Sequence, residues 1–247
     1  MVRIAAISDI HSNVYALHAV LEDIAKRQVD IVVNLGDILY GPIAPLATYE
    51  LLLQHPLITI RGNQDRQIYQ ATAQELEMNP TLQFILQQLG DAPLRWLQTL
   101  PASLQLTPEV FICHGTPDDD LIYLLEDVQQ GHAVIRSDAE IMRLLKSQRA
   151  EVVLCGHTHL PRTVTTSSGQ LIVNPGSVGL PAYTDDLPVA HAIENYSPHA
   201  RYAIIEQQPQ GWQVEQIAVA YDYAQAATAA LRQGRADWAR FLSSGRR

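Results

Sequence analysis

Five apolar runs of strand length each break off at a short polar motif, and this restricts the chain more than any other feature. The runs are Val2–Ser8, Ile31–Leu35, Leu57–Ile60, Val110–Cys113 and Val152–Cys155. They lead into Asp9-Ile10-His11, Gly36-Asp37, Gly62-Asn63-Gln64-Asp65, His114-Gly115 and Gly156-His157-Thr158-His159. Helical patterns lie between them. Asn13–Gln28 carries an apolar stripe of Leu17, Val20, Leu21 and Ile24, with Ser12 or Asn13 as its cap. Ala44–Gln54 and Asp138–Ser147 are also helical in pattern. Strands alternating with helices predict an α/β fold with a largely parallel sheet covered by helices. Polar groups at the carboxyl ends of such strands gather at one rim, where ligands bind in open α/β sheets.

The rest of the chain is less regular. Residues from about 65 to 99 are helical in pattern, interrupted at Pro80 and Pro93, and suggest a cap near the third motif. Thr163–Thr166 and Gln170–Val173, joined through Ser168-Gly169, predict a hairpin. Tyr202–Glu206 and Trp212–Val219 predict two antiparallel strands, and an Ala-rich helical tail follows from about Asp222. Leu180–Ala200, with three prolines and few periodic apolar positions, predicts a surface loop. Without repeats or a linker, the 247 residues read as one domain spanning 1–247.

Composition excludes some functions. With 17 basic and 26 acidic residues and a net charge of −9, the chain is poorly suited to grip nucleic acid or an anionic membrane. A small phosphoester remains a suitable substrate, because bound metals reverse the local field. Cys113 and Cys155 are too few for a disulfide framework and read as buried free thiols. The first residues enter a strand without a signal peptide's apolar core, and no apolar run approaches the roughly 20 residues that span a bilayer. A cytoplasmic location is the expectation; oligomeric state is not readable.

The motifs supply two carboxylates, four imidazoles and one carboxamide. Asp9 and His11 are two residues apart, as are His157 and His159, and in extended chain such pairs point to the same side. Singly, each motif has an ordinary explanation as a cap, a turn or an exposed histidine, since short patterns often match by chance. Jointly, in this order and at strand ends, they point to a metal centre.

From residue 4 to about residue 180, and plausibly to the C-terminus, the motifs resemble those of the calcineurin-like metallophosphoesterases. The resemblance implies a two-sheet α/β/β/α sandwich with metals at the strand ends. It implies that Asp9, His11 and His159 hold one metal, that Asn63, His114 and His157 hold a second, and that Asp37 bridges them. Mixed imidazole and oxygen ligands suit two divalent transition-metal ions, Mn first, with Fe, Zn, Ni or Co as alternatives. The implied activity is hydrolysis of a small phosphoester by a metal-bound hydroxide, with Asp37, Asn63 and His157 catalytic and Asn63 and Gln64 touching substrate.

The chain departs from many relatives at Gln64, where they carry a histidine thought to protonate the leaving oxygen. Glutamine cannot deliver a proton. The Gly-Asn-x-Asp arrangement resembles a bacterial and archaeal branch of phosphodiesterase character, so diester hydrolysis is the leading expectation. A phosphomonoesterase or protein phosphatase, and a metal-binding interaction scaffold without catalysis, are the alternatives. Asp65 is a candidate to orient a ligand histidine, and Asn174-Pro175-Gly176-Ser177-Val178-Gly179 reads equally as a turn shaping the metal site or as an ordinary tight turn after a strand. Tyr40-Gly41-Pro42 is a candidate wall of the cleft. The other five histidines, His18, His55, His132, His191 and His199, read as bystanders, with the last three candidates for a substitute acid.

Overall fold

The computed structural model describes residues 2–247. Its first sheet is built on β1 (Arg3–Ile7), β2 (Ile31–Asn34) and β3 (Ile58–Thr59), which run parallel. Two long antiparallel strands, β13 (Ala200–Gln208) and β14 (Gly211–Val219), extend it, giving the order β14-β13-β1-β2-β3. The second sheet has β5 (Val110–Cys113), β8 (Val152–Leu154) and β10 (Leu171–Pro175) in parallel. β4 (Ser103–Gln105) and β9 (Pro161–Thr165) close its edges antiparallel, in the order β4-β5-β8-β10-β9.

Alternation along the strands separates the layers. Ile4 and Ala6 of β1 join Val33, Ile112, Val152, Val173 and Ala203 in a core between the sheets. Ala5 and Ile7, one residue out of phase, face outward onto helix α1 (Val14–Ile24), where Leu17, Val20 and Leu21 pack on them. On the far side α7 (Asp138–Leu145) covers the second sheet with Ile141 and Leu145 against Val153 and Ile172. Each such side chain contributes about 1.5–3 kcal/mol on full burial. The layers run helix, sheet, sheet, helix, as the resemblance implied.

Several local expectations need correction. The helix expected over Asn13–Gln28 keeps its Asn13 cap but ends at Ile24. The segment from about 65 to 99 forms α3 (Asn63–Gln70), α4 (Ala73–Met78), α5 (Pro80–Gln88) and α6 (Asp91–Thr99), following α2 (Pro45–Leu52). The break expected at Pro80 is present, since α4 ends at Met78 and Pro80 opens α5 behind its Asn79 cap. The one expected at Pro93 is not: Pro93 lies in the first turn of α6, where a missing N–H costs nothing, and the break falls at Leu89-Gly90. A further break falls at Thr72, whose side chain caps α4. Ile68, Leu82, Ile85 and Leu97 anchor these helices in the core around α1.

Leu180–Ala200 is not a surface loop. After the small pair β6 (Glu126–Asp127) and β7 (Val134–Ile135), it forms the hairpin β11 (Ala182–Asp185) and β12 (His191–Glu194). Leu180, Ala182 and Ile193 are buried, and the prolines that suggested a loop all lie outside the strands. The Ala-rich tail is two helices, α8 (Tyr223–Arg232) and α9 (Ala236–Ser244). They turn at Gly234, and Trp238, Phe241 and Leu242 pack beside Leu180 and Ala182. Among the described residues no helix is long and apolar enough to cross a membrane.

Candidate metal centre

The five motif loops interlock through their backbones. Asp9, His11 and Ser12 donate N–H bonds to the carbonyls of Gly36, Asp37 and Ile38, at 2.9, 3.0 and 2.8 Å. Gly156 N–H reaches the His114 carbonyl at 2.7 Å, and His157 N–H reaches Asp9 Oδ2 at 3.1 Å. Two glycines are required by this contact. A side chain on Gly36, at φ +99°, would strike the backbone of Gly62, and one on Gly62 would strike the Asp37 carboxylate. Asp9, His11, Asp37, His157 and His159 all hold left-handed backbone, with φ between 49 and 72°. This conformation is uncommon without glycine and concentrates at functional sites.

Six of the seven candidate ligands form two clusters. Asp9, His11 and His159 offer ligand atoms within 4.8 Å of one another, as do Asp37, His114 and His157. The seventh, Asn63, reaches the second cluster, with Oδ1 3.0 Å from His114 Nε2. Asn63, His11, Asp37, His157 and His159 line one cavity of about 220 Å³.

The imidazoles are oriented from behind. His11, His114 and His159 donate Nδ1–H to the carbonyls of Tyr40, Leu35 and Leu180, at 3.1, 2.8 and 2.6 Å. His157 has a backbone partner at Leu121. Held by Nδ1 from behind, the rings of His11, His114 and His159 turn Nε2 inward. His11 Nε2 and His159 Nε2 lie 3.0 Å apart, beside Asp9 Oδ1 at 3.9 and 3.3 Å. That carboxylate oxygen is fully buried without a hydrogen-bond partner. Ring nitrogens turned onto one point and an orphaned buried anion are what a cation resolves, so the donor set fits a metal.

Electrostatics agree. Burial, and then the neighbouring His159, push His11 down to about 4, while burial and His114 push His157 down to about 4. Burial would also lower His114, but the Asp37 carboxylate outweighs it and lifts His114 to about 10. Burial works against the charge on Asp37, yet His114, His11 and His157 hold its carboxyl below the usual range. In the metal-free protein a proton on His114 supplies the positive charge that the carboxylates demand. Asp37 is influenced by histidines of both clusters, as a residue between them should be.

Supporting groups are placed differently from expectation in one case. Asp65 orients no histidine. Its carboxylate accepts from Ile38, Leu39 and Gly62 N–H, at 2.9, 3.3 and 3.0 Å, tying the second motif to the third. The 174–179 turn does adjoin the site: Ser177 Oγ donates to the Asp9 carbonyl, and Asn174 Nδ2 to that of Gly156, both at 2.8 Å. Gln64 lines the cavity, and its Oε1 is buried without a partner. Tyr40 is also on the wall.

Other wall residues were not anticipated: Tyr123, Tyr183, Asp185, Arg235, Asp237, Trp238 and Phe241. Tyr183 hydroxyl donates to the His157 carbonyl at 3.2 Å, and Trp238 meets His11 edge-on at 5.9 Å. His191 lies behind this wall, buried, with Nε2 3.0 Å from the Tyr123 hydroxyl. Burial over residues 182–185 falls off along the strand without alternating, so no period-2 pattern marked the hairpin that brings Tyr183 here.

Residues 2–193 match the family model described as the calcineurin-like phosphoesterase superfamily domain. An uncharacterized protein of Methanocaldococcus jannaschii is 29% identical over 205 residues, covering 72% of this chain and 76% of that protein. A metallophosphoesterase from Sphaerobacter thermophilus superposes with a TM-score of 0.76 at 25% identity, covering 99% of each chain. A hypothetical protein from Pyrococcus horikoshii shares the fold, with a TM-score of 0.75 at 21% identity and 99% of each chain covered. Both superpositions extend well past residue 193 and so take in the C-terminal region.

Proposed function

Since the chain belongs to the calcineurin-like phosphoesterase superfamily, we propose that it is a binuclear metal-dependent enzyme that hydrolyses phosphodiesters. The observation that carries this reading is the pair of His/Asp clusters whose ligand atoms gather beside one cavity. Asp9, His11 and His159 would hold one ion, Asn63, His114 and His157 the other, and Asp37 would serve both. Manganese is the first candidate, since carboxylates, imidazoles and a carboxamide suit it together. When bound, two divalent ions supply Lewis-acid polarisation of the phosphoryl group and activation of water at neutral pH.

The chain's own groups then select the ester. Apart from the candidate ligands, the charged groups on the wall are Asp185, Asp237 and Arg235, and Arg235 is already paired with Asp237 at 2.9 and 2.6 Å. A dianionic monoester finds no spare cation there, whereas a monoanionic diester needs none. Gln64 sits where it can touch the substrate but can donate no proton to the departing oxygen. General acid catalysis contributes about 10²–10⁴-fold, so its loss weighs most on poor leaving groups.

Bis-p-nitrophenyl phosphate should therefore be hydrolysed in preference to p-nitrophenyl phosphate, and rates should fall steeply as the leaving-group pKa rises. Gln64→His should flatten that dependence, gaining most on alkyl esters. A shallow dependence in the unmodified protein, or a preference for monoesters, would favour the phosphatase alternative.

Metal loading should also release protons. At pH 7 His11 and His157 are already neutral, each titrating at about 4, while His114 at about 10 is protonated. Coordination requires the neutral imidazole, so binding displaces the His114 proton, and affinity should rise about tenfold per pH unit across the neutral range. Calorimetry in buffers of different ionisation enthalpy measures this release; heats independent of buffer would contradict it.

A further inference from the structure

The metal-site cavity is bounded on one side by Arg235. This residue, immediately before α9, lines both that cavity and a neighbouring groove of about 530 Å³ against α3, α4 and α5. Its guanidinium is fixed from three directions. Nε and Nη2 hold Asp237, Nη1 donates to Thr81 Oγ1 at 2.6 Å, and the group stacks over Trp238 at 5.4 Å. Tyr40 makes a second junction: it walls the cavity, and its hydroxyl accepts from Asn79 of the groove at 2.9 Å.

The groove's chemistry is uncharged in effect. Arg235 is neutralised by Asp237. Glu75 caps α4, accepting from the Thr72 N–H and hydroxyl at 2.8 and 2.7 Å. The remaining wall includes the carboxamides of Gln67 and Gln74 and the thioether of Met78, which is 76% exposed. Carboxamides pair with amide-like edges, as Asn and Gln do with adenine, and a thioether packs well against flat rings. A second phosphate would find no free cation here, and a cationic headgroup would meet an acid already engaged.

We propose that this groove receives the non-leaving arm of the diester, that the arm is a nucleoside-like group (flat, uncharged and edged with donors and acceptors), and that Arg235 is the specificity-determining residue at the junction. The proposal rests on the diesterase reading above.

Three p-nitrophenyl diesters share a leaving group and differ in the other arm: the p-nitrophenyl ester of thymidine 5′-monophosphate, bis-p-nitrophenyl phosphate and p-nitrophenyl phosphorylcholine. With Mn-loaded protein, the thymidine ester should have the lowest KM. Gln74→Ala and Met78→Ala change exposed positions on α4, where folding is not at stake. Each should raise KM for the thymidine ester by up to about tenfold, the scale of one or two lost hydrogen bonds or equivalent contacts, with little change in kcat. Arg235→Ala should remove the preference among the three arms, and Arg235→Lys should not restore it, because an ammonium cannot hold Asp237 and Thr81 as a fork does. Equal KM values for the three diesters, or groove variants that shift all three alike, would overturn the proposal while leaving diesterase activity standing. Failure to turn over any of the three would defeat both.

Discussion

Dialysis against a strong chelator is expected to lower diester hydrolysis at least about 10³-fold, and Mn should restore it at two ions per chain. The size follows from the division of labour. Enzymes gain about 10⁶-fold or more over water, and neither cysteine is placed to take over as nucleophile: both thiols, Cys113 and Cys155, are buried and pushed far above their usual range. The metal-free protein should stay folded. Its imidazoles are held by the carbonyls of Tyr40, Leu35 and Leu180 and need no metal to stay in place. Its melting temperature should nonetheless drop, because a ligand at 100 times its Kd stabilises the native state by about 2.7 kcal/mol. Elemental analysis of reconstituted protein gives the stoichiometry. Saturation at one ion would defeat the binuclear reading, and full activity after chelation would defeat metal dependence altogether.

Asp37→Asn should cost more activity than Asn63→Ala or the loss of any single terminal ligand, at least about 10³-fold. That exceeds the roughly 10–100-fold typical of removing a group that only orients a ligand. Asp37 is the proposed bridge, and histidines of both clusters act on its carboxylate. Asparagine suits the test. It tolerates the left-handed backbone at φ +54° and can still accept the Gln64 N–H, now made to Asp37 Oδ1 at 2.9 Å. Circular dichroism and the melting transition should therefore be close to those of the unmodified protein. Unfolding would make Asp37 chiefly structural. A variant retaining most of its activity and binding two ions would remove the bridge.

The strands that deliver the candidate ligands were legible in the sequence because each is a short apolar run stopped by polar residues. Asp9, His11, Asp37, Asn63, His114, His157 and His159 all fall at such stops, and the structure gathers them. That two sheets stack was not legible from periodicity. Strands buried on both faces read as continuous apolar runs, and Ile4-Ala5-Ala6-Ile7 does not announce that alternate residues enter different cores. The cavity wall was legible only in part. Tyr40 follows a motif directly, but Trp238 and Tyr183 arrive through tertiary packing of a tail and a hairpin that have no motif of their own. In the 65–99 region the break at Pro80 was legible, whereas Pro93, read as a second breaker, occupies the first turn of α6 and the break falls before it, at Leu89-Gly90. For Asp65 the sequence indicated a supporting carboxylate but not its partners, and backbone amides took the place expected for a histidine.

The left-handed backbone at Asp9, His11, Asp37, His157 and His159 carries a consequence for how such a protein can change. A non-glycine residue in that conformation is less favourable than elsewhere by about 1–2 kcal/mol. Five of them together withhold a sizeable part of the 5–15 kcal/mol that keeps a typical domain folded. Glycine at these positions would relieve the strain and delete the ligand in one step. Selection for robustness alone would thus erode the metal centre first, and a relative that has abandoned catalysis would be recognisable by glycines where this chain keeps its histidines.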